Sequence, residues 1–388
     1  MSQEQAAADG LGARSCYALV TGGGTGGHVQ PALAIAEALV GRGKNAGEIH
    51  FVGSRRGMEG RLVSEAGYAI TLLPGRGIRR AFSLANFGAI AGIATACIRA
   101  LGILGRLRPA VVVTVGGYAG FPAALAGLVW RVPVLVVSYD AVAGAANRFI
   151  GRFAAANAVA FPGSGLPRAR LTGAPVRSRV LDIQRSETAR QSACKEMGLD
   201  PDRTVVLATG GSLGARTVND STVGLCRRWH ERTDIAVYHV AGDRDLDAVR
   251  RAAGDAGLGE GKDGLDYRLT GYESRMPVLL AACDLIVARA GASTVAELCA
   301  VGIPSILVPL PRSPGDHQTS NARALSEAGA AVMVPDDQCT GERLAEVIEP
   351  LLESDALVEM GEAAAGMGRR DAADQIALLA MAIARSDR

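Results

Sequence analysis

Residues 20–28 read VTGGGTGGH and end the apolar run Tyr17–Val20. Such a run is typical of a buried strand, and the glycines permit a tight turn into a helix. A second stretch, RAGASTVAE at 289–297, follows the apolar residues 285–288. A strand, a glycine turn and a helix in this order aim backbone N–H groups and a positive helix end at a phosphate. Because the two stretches lie in different halves of the chain, we predict an anionic ligand held in a cleft between two α/β domains.

The length and the pattern of apolar runs support two domains. A chain of 388 residues exceeds the usual size of a single core. Short β-branched runs alternate with Ala- and Leu-rich segments of helical length, which is typical of βαβ units around parallel sheets. The helix after the first glycine turn is expected to carry Pro31 in its first turn and to end at Gly41. The predicted strands are 16–20, 48–53, 69–73, 110–115, 132–137 and 156–160, then 204–209, 235–241, 266–270, 284–288, 304–308 and 331–334.

The composition excludes several classes of protein. Aromatic residues make up only 4% of the chain, which argues against the stacking platforms that bind single-stranded nucleic acid. The seven cysteines are scattered and form no CxxC pair, so we expect reduced, buried thiols rather than disulfides or zinc ligands. The first residues, 1–14, show no signal-peptide pattern and are expected to form a disordered lead-in.

The near-neutral net charge hides an asymmetry. Residues 1–177 carry 18 Lys and Arg against 7 Asp and Glu, a net charge of +11, whereas 178–388 carry 23 against 32, a net of −9. Different partners are therefore expected for the two halves, although arginines that only keep the first domain soluble remain an alternative. The apolar segment 86–105 is expected to be a buried or surface helix rather than a membrane span, because four glycines interrupt it. Its flanking arginines, among them Arg79, Arg80 and Arg106, would suit an anionic lipid surface.

A third glycine turn, TVGGYAGFP at 114–122, follows the apolar residues 111–113. Two such turns at adjacent strand ends could hold a pyrophosphate from both sides; the alternative is that the glycines only allow close packing. The first turn also satisfies GxGxxG, but the acidic residue of a dinucleotide site is missing from the end of the second predicted strand. No Gly-Lys-Ser/Thr occurs, so the pattern excludes an ATP-binding P-loop.

Five motifs in order now make a resemblance specific. They are TGGGTGGH at 21–28, GGY at 116–118, GGSLGAR at 210–216, RAGASTVAE at 289–297 and DHQTSNA at 316–322. Together they resemble the MurG family of bacterial transferases (glycosyltransferase family 28), which adds N-acetylglucosamine to lipid I. The resemblance covers about residues 15–380. It implies a GT-B fold, with two Rossmann-like α/β domains whose parallel sheets face a central cleft.

The resemblance implies a UDP-sugar site in the second domain. It places Glu297 on the ribose hydroxyls; from the residues alone, a helix-start carboxylate favoured by the dipole is an equally open interpretation. His317, Gln318 and Asn321 correspond to the end that holds the donor sugar. The other implied donor contacts are Arg177 and Ser212 at the diphosphate and Tyr272, Glu273 and Met276 around the uracil.

On the acceptor side the resemblance is weaker. His28 is a candidate general base or orienting group, with a structural role equally open. The family usually has His-Glu-Gln-Asn where this chain has VSYD at 137–140. We hypothesise that Asp140 takes over the role of the missing glutamate; a solvated carboxylate is the alternative. The acceptor residues implied by the match are Thr25, Gly26, Gly27, Gly117, Tyr118 and Asn147.

The resemblance implies an inverting transfer from UDP-GlcNAc to undecaprenyl-pyrophosphoryl-MurNAc-pentapeptide, with no cofactor, no metal and no nucleic acid partner. A peripheral position on the anionic cytoplasmic face of the plasma membrane is expected. The alternatives are a relative with another acceptor, a UDP-GlcNAc 2-epimerase, and a binding protein without catalysis. The expected domains are 15–175 and 176–365, with a hinge near 160–180 and a C-terminal helix, 366–388, that crosses back to the first domain.

Overall fold

The computed structural model describes residues 16–23, 26–55, 57–74, 85–117, 119–211, 213–261 and 263–385. These residues form two compact units. Unit 1 contains the described residues up to Tyr139, Ala143–Arg177 and those from Asp371 onward, and unit 2 contains Asp140–Val142 and Ser178–Arg370. The units follow from contacts in the structure, and the domain bounds drawn from the sequence stay a prediction.

Unit 1 is built on a parallel sheet in the order β3-β2-β1-β4-β5-β6-β7. Each of the six predicted strands overlaps an observed one, and the seventh, β7, was missed because it has three exposed residues at the sheet edge. The strands are β1 (Ala18–Gly23), β2 (Ile49–Ser54), β3 (Ala69–Leu73), β4 (Val111–Gly117), β5 (Val134–Ser138), β6 (Ala156–Val159) and β7 (Ala169–Leu171).

Helices cover this sheet. The apolar faces of α3 and α4 pack on buried valines of β4 and β5, including Val112 and Val134, and form the core of the unit. The chain also returns here, because Arg42 pairs with Asp374 on the last helix at 3.4 Å. The helices are α1 (Gly26–Gly41), α2 (Glu59–Glu65), α3 (Ala85–Leu107), α4 (Gly120–Val129), α5 (Ala145–Gly151) and, at the end of the chain, α15 (Ala372–Ile383).

The start of α1 differs from the prediction. The helix ends at Gly41 as expected, but it begins at Gly26, so Pro31 lies inside it rather than in its first turn. Glycines have low helix propensity, and the apolar periodicity therefore signals only the part of the helix that follows them. A proline inside a helix has no N–H to donate, so the carbonyl four residues before it needs another donor.

Unit 2 repeats the architecture with a parallel sheet in the order β10-β9-β8-β11-β12-β13. The six strands predicted for this half are all observed. They are β8 (Thr204–Thr209), β9 (Ile235–Val240), β10 (Asp266–Thr270), β11 (Leu285–Ala288), β12 (Ser305–Leu307) and β13 (Ala331–Met333).

The helices of unit 2 pack on its sheet. Trp229 and Leu344, on the helical side, meet the buried strand residues Val237 and Ile306 in one core. The helices are α6 (Ser178–Leu181), α7 (Glu187–Met197), α8 (Arg216–Arg228), α9 (Leu246–Asp255), α10 (Met276–Ala282), α11 (Ala292–Val301), α12 (His317–Glu327), α13 (Gly341–Leu352) and α14 (Ala356–Met367).

The sequence also led to expectations about the cysteines and about membrane-spanning helices. All seven cysteines are free, and six of them are buried, with Cys97 half-buried. Burial raises the pKa of the Cys16 thiol to about 12, so this thiol stays protonated at neutral pH. Within the described ranges, no helix combines the length and the hydropathy of a membrane span.

Candidate active site

The glycine turns of unit 1 lie side by side. Strands β1 and β4 pair in parallel, with Gly23 opposite Gly117. Gly117 has φ +79°, and a Cβ there would lie 2.1 Å from the Gly23 carbonyl oxygen. Only glycine fits this approach, since a side chain would collide with backbone. The carboxyl ends of two neighbouring strands therefore present backbone, not side chains, to whatever binds there.

Other predicted acceptor residues surround these turns. The Asn147 amide is buried and donates from Nδ2 to the Val137 carbonyl at 3.4 Å. A Cβ on Gly116 would lie 3.3 Å from that amide, so Asn147 packs directly on the second turn. His28 is half-buried in the first turn of α1, immediately after Gly27. Thr25 and Tyr118 lie outside the described residues, as do Arg79 and Arg80.

Sequence reasoning missed Tyr139. Its side chain is 5% exposed, and its hydroxyl donates to the Gly27 carbonyl at 3.0 Å. The rings of Tyr139 and His28 are 6.2 Å apart between centroids, at 60° to each other. The available signal was the departure at 137–140, which draws attention to this position without indicating what the side chain contacts.

A carboxyl group under the first turn was also missed. Glu59 is 1% exposed, and its Oε1 accepts from the Ser54 amide at 3.3 Å. A Cβ on Gly23 would lie 1.9 Å from that oxygen, so the carboxyl group packs against the Gly23 backbone. The contact between the Glu59 carboxyl group and the Gly23 backbone could not be predicted from motif spacing, because Glu59 is distant in sequence from the turn.

Arg177 belongs to unit 1 in this structure. Its Nε donates to Glu37 Oε1 at 2.9 Å, and Nη1 donates to Gln30 Oε1 at 3.3 Å. Glu37 and Gln30 both lie on α1, so this helix holds the guanidinium. Its assignment to the donor diphosphate stays a prediction.

In unit 2, the other predicted donor residues with described positions follow the carboxyl ends of parallel strands, where open α/β sheets bind ligands. The loop after β8 supplies a glycine turn before α8. Gly214 has φ +72°, and a Cβ there would lie 2.3 Å from the Ala241 carbonyl oxygen after β9. Ser212, within this loop, lies outside the described residues. The turn and the start of α8 point backbone N–H groups to this edge of the sheet.

The predicted uracil side follows β10. Tyr272 is 46% exposed, while Glu273 beside it is buried. Glu273 accepts from the Tyr238 hydroxyl at 2.7 Å and from the Arg275 amide at 2.8 Å. Burial acts to raise the pKa of the Glu273 carboxyl, but these hydrogen bonds and the Arg275 charge outweigh it and lower the pKa. An ionised, anchored Glu273 thus fixes the loop that carries Tyr272 and leads into Met276.

The predicted ribose and sugar residues follow β11 and β12. Glu297 is half-buried on α11, and His317 and Gln318 open α12. Gln318 Oε1 accepts from the Leu310 amide at 2.9 Å, which ties the helix start to the loop after β12. These side chains remain predictions as donor contacts, and the structure places them on one edge of the sheet.

Asn321 is fully buried, and its amide is engaged within unit 2. Its Oδ1 accepts from the Ala141 amide at 3.0 Å, and its Nδ2 donates to the Ala290 carbonyl at 3.1 Å and to Asp140 Oδ1 at 3.3 Å. The residue thus holds the short segment Asp140–Val142 against the loop after β11. Its prediction as a sugar contact is untested, whereas its contact with Asp140 links two predicted site residues.

An arginine network spans the same edge. Arg289 Nη1 donates to Asp336 Oδ1 at 2.5 Å and to the Val308 and Pro309 carbonyls at 3.1 and 3.2 Å. Asp336 Oδ2 in turn accepts from the Thr217 hydroxyl at 3.3 Å. One guanidinium therefore connects the loops after β11, β12 and β13 with the start of α8. In the part of the chain that the structure describes, no three His, Cys, Asp or Glu side chains are grouped to hold a metal ion.

Family models match both halves of the chain. Residues 18–159 match the glycosyltransferase family 28 N-terminal domain, and residues 205–376 match the family 28 C-terminal domain. The chain belongs to glycosyltransferase family 28. The two matches cover most of both sheets and the glycine turns described above.

Named relatives share more than a third of the aligned residues with the chain. One from Desulforudis audaxviator is 36% identical over 92% of this chain and 96% of its own length. One from Nocardia farcinica is 38% identical over 95% of this chain and 96% of its own length. Both are named UDP-N-acetylglucosamine–N-acetylmuramyl-(pentapeptide) pyrophosphoryl-undecaprenol N-acetylglucosamine transferase.

Solved structures agree on the fold. The crystal structure of Acinetobacter baumannii MurG is 26% identical, with a TM-score of 0.74 over 95% of this chain and all of that one. A Neisseria meningitidis UDP-GlcNAc 2-epimerase reaches a TM-score of 0.64 at 15% identity, which shows a common fold alone. The predicted GT-B class with two parallel α/β sheets is confirmed.

Proposed function

We propose that this protein transfers N-acetylglucosamine from UDP-GlcNAc to the lipid-linked acceptor undecaprenyl-pyrophosphoryl-MurNAc-pentapeptide, with inversion at the sugar C1. The observation that carries the proposal is the identity of 36–38% to transferases of that name over more than nine-tenths of the chain. The reaction needs no cofactor, because the bond to UDP already activates the sugar C1 and UDP is the leaving group.

Unit 2 is the proposed donor side. Its glycine turn and the start of α8 offer N–H groups to the diphosphate, where preorganised donors stabilise the charge that develops as UDP leaves. Ser212 is the proposed side-chain contact there, and the assignment of Arg177 to the diphosphate is kept as a proposal. We assign Glu297 to the ribose, Tyr272 and Met276 to the uracil, and His317, Gln318 and Asn321 to the sugar. The edge of the sheet they share supports this assignment.

Unit 1 is the proposed acceptor side. The paired turns at Gly23 and Gly117 suit a pyrophosphate, and the remaining proposed contacts are Thr25, Gly26, Gly27, Tyr118 and Asn147. We assign His28 as the base that takes the proton of the acceptor hydroxyl as it attacks C1. Asp140 is proposed to orient the acceptor or to share that role, and an Asp140→Asn enzyme with unchanged kcat/KM would refute this assignment.

The membrane-facing surface is proposed on α3 and α4. Ile98, Val129 and Trp130 are 70%, 62% and 49% exposed, and Trp130 Nε1 donates to the Leu101 carbonyl at 3.0 Å, so the apolar side chains of the two helices adjoin. Exposed arginines flank them at 99, 106, 108 and 131. Apolar side chains ringed by arginines suit an anionic leaflet, and each arginine near the surface adds about 1 kcal/mol. We therefore propose a peripheral position on the cytoplasmic face of the plasma membrane.

Vesicles test the surface. Removing Arg79, Arg80 and Arg106 together should weaken binding to vesicles of phosphatidylcholine and phosphatidylglycerol by about a hundredfold at low salt, from three contributions of about 1 kcal/mol. Binding to phosphatidylcholine alone should change little. Equal loss on both kinds of vesicle, or no loss, would contradict the electrostatic assignment.

The reaction is tested with radiolabelled UDP-GlcNAc and a short-chain analogue of the lipid acceptor. A labelled β-linked disaccharide lipid is the expected product. UDP binding without this product would favour the alternative of a family 28 enzyme with another acceptor, which the unusual residues 137–140 support. Conversion of UDP-GlcNAc to UDP-ManNAc without any acceptor would instead indicate an epimerase.

A further inference from the structure

The first turn of α1 contains a backbone carbonyl that its own helix cannot satisfy. In an α-helix, the carbonyl of residue 27 accepts from the amide of residue 31. Residue 31 is proline, which has no N–H, and it lies inside α1. The helix therefore needs another donor for the Gly27 carbonyl or must leave it to solvent.

Tyr139, directly after the end of β5, supplies that donor; β5 is separated from β1 by β4 in the sheet. The Tyr139 hydroxyl donates to the Gly27 carbonyl at 3.0 Å across 112 residues of sequence. The side chain is nearly fully buried. The hydrogen bond itself is partly buried, so its loss leaves the carbonyl without this partner in a place that water reaches only in part.

The same ring lies against His28. The two rings meet edge to face at 6.2 Å between centroids, a distance and angle at which aromatic rings attract. His28 follows Gly27, so one side chain fixes both the peptide before the histidine and the imidazole itself. Gly26 and Gly27 carry no side chain that could hold the turn from within, and glycine loses more conformational freedom on ordering than any other residue.

We propose that Tyr139 is a positioning residue for His28: its hydroxyl replaces the backbone donor that Pro31 lacks, and its ring sets the orientation of the imidazole. The effect on catalysis rests on the proposed function, in which His28 takes the acceptor proton. The effect on the His28 ring is independent of that function, and the two can be measured apart.

Two variants separate the parts of the contact. Tyr139→Phe keeps the ring and removes the hydroxyl, whereas Tyr139→Gln keeps a donor and removes the ring. The double variant Pro31→Ala/Tyr139→Phe returns a backbone N–H to the Gly27 carbonyl. A matched control is Tyr267→Phe, because Tyr267 also meets a histidine ring, that of His239, at 6.0 Å and 69° and contacts its Nδ1 at 2.8 Å within the core of unit 2.

The first readout is NMR of protein labelled at histidine Cε1. The chain has five histidines, and the His28→Gln variant assigns the His28 signal. We expect Tyr139→Phe and Tyr139→Gln to shift or broaden the His28 signal and to leave those of His50 and His239 in place. Tyr267→Phe should move the His239 signal alone.

The second readout is steady-state kinetics with the radiolabelled donor. Tyr139→Phe should lower kcat about tenfold, the effect of roughly one hydrogen bond, with KM for UDP-GlcNAc unchanged within about twofold. Adding Pro31→Ala should restore most of kcat, which a general loss of packing would not allow. Tyr267→Phe should keep its kcat at a temperature where it is folded.

An unchanged His28 signal in both folded Tyr139 variants would overturn the proposal. If the parent protein is active and its activity depends on His28, a kcat of Tyr139→Phe equal to that of the parent would overturn it as well. If Tyr139→Phe does not fold, Tyr139→Gln and the double variant decide by the same signal. A His28→Gln enzyme with parental activity would refute the proposed role of His28, while the NMR result would still show whether Tyr139 positions the ring.

Discussion

Replacing Arg289 by alanine should weaken UDP binding through the loops that this arginine connects. The change removes a partner of Asp336 and the donor to the Val308 and Pro309 carbonyls. The side chains of Arg289 and Asp336 are 11% and 20% exposed, so the pair is largely shielded from water. Removing one partner of a buried pair costs about 3–5 kcal/mol, and the partial exposure places this pair near 3 kcal/mol.

The location of the Arg289–Asp336 pair decides how much of the lost stabilisation affects UDP binding as well as folding. Arg289 connects loops at the carboxyl edge of the sheet, where the ligand is proposed to bind, so UDP must reorder them in the variant. If about half of the lost stabilisation reappears as this cost, the Kd for UDP rises about tenfold. Arg289→Lys should lie between the variant and the parent, because lysine restores the charge but not the fork of donors.

A matched control lies at the other end of the same strand. Arg190 donates to both oxygens of Asp284 at 2.7 Å, and the two side chains are 16% and 23% exposed. Asp284 directly precedes β11, so this pair is at the amino edge of the sheet. Arg190→Ala should cost a similar amount of stability, about 3 kcal/mol, and leave UDP affinity unchanged.

Urea unfolding and calorimetric titration with UDP measure the two quantities. The expected pattern is a similar loss of stability in both variants, with weaker UDP binding only in Arg289→Ala. Parental UDP affinity in folded Arg289→Ala would refute the reasoning, as would an equal loss of affinity in Arg190→Ala.

Three further predictions concern pH and the two sides of the site. Burial lowers the pKa of His50 to about 4 and that of His239 to about 3, so both side chains are neutral in the folded protein at pH 7. In the unfolded chain both take up protons more readily. The contribution of each neutral histidine to the stability of the fold is therefore fully present above about pH 6.5 and is lost as the pH falls. Unfolding in urea at pH 7 and pH 5 should show a loss of about 2 kcal/mol from each, and His50→Gln should remove its share, whereas equal stability at both pH values would contradict the assignment. Gly117→Ala should lower kcat/KM for the lipid acceptor at least about tenfold without changing UDP affinity, because its Cβ would meet the Gly23 carbonyl at 2.1 Å; a parental value would show that the turn can move. Glu297→Gln should raise the Kd for UDP about tenfold or more, since a bidentate acceptor loses its charge. Because Glu297 lies beyond the first turn of α11, an effect on thermal stability alone would favour a role in packing the helix.

The fold was predictable because its signals are local. Alternating apolar runs and glycine turns at fixed spacing mark parallel strands and the loops that follow them, and each of the twelve predicted strands is observed. The exposed three-residue β7 was missed because it carries no apolar pattern. The predicted start of α1 was wrong for a related reason. The glycines before Pro31 have no helical signal of their own, and the hydroxyl of Tyr139, which follows β5, donates to the Gly27 carbonyl from a distant part of the sequence.

By itself, the sequence determined the class of fold, the family and the stretches that line the two candidate sites, since strand and turn patterns depend on neighbouring residues. Only the tertiary structure decided which side chains meet. Gly23 faces Gly117 because β1 pairs with β4, Arg177 is held by Glu37 on α1, and Asn321 is buried against Asp140–Val142. Each of these contacts joins residues more than 90 positions apart, and the order of the strands in the sheets and the packing of the helices, rather than spacing along the chain, bring them together.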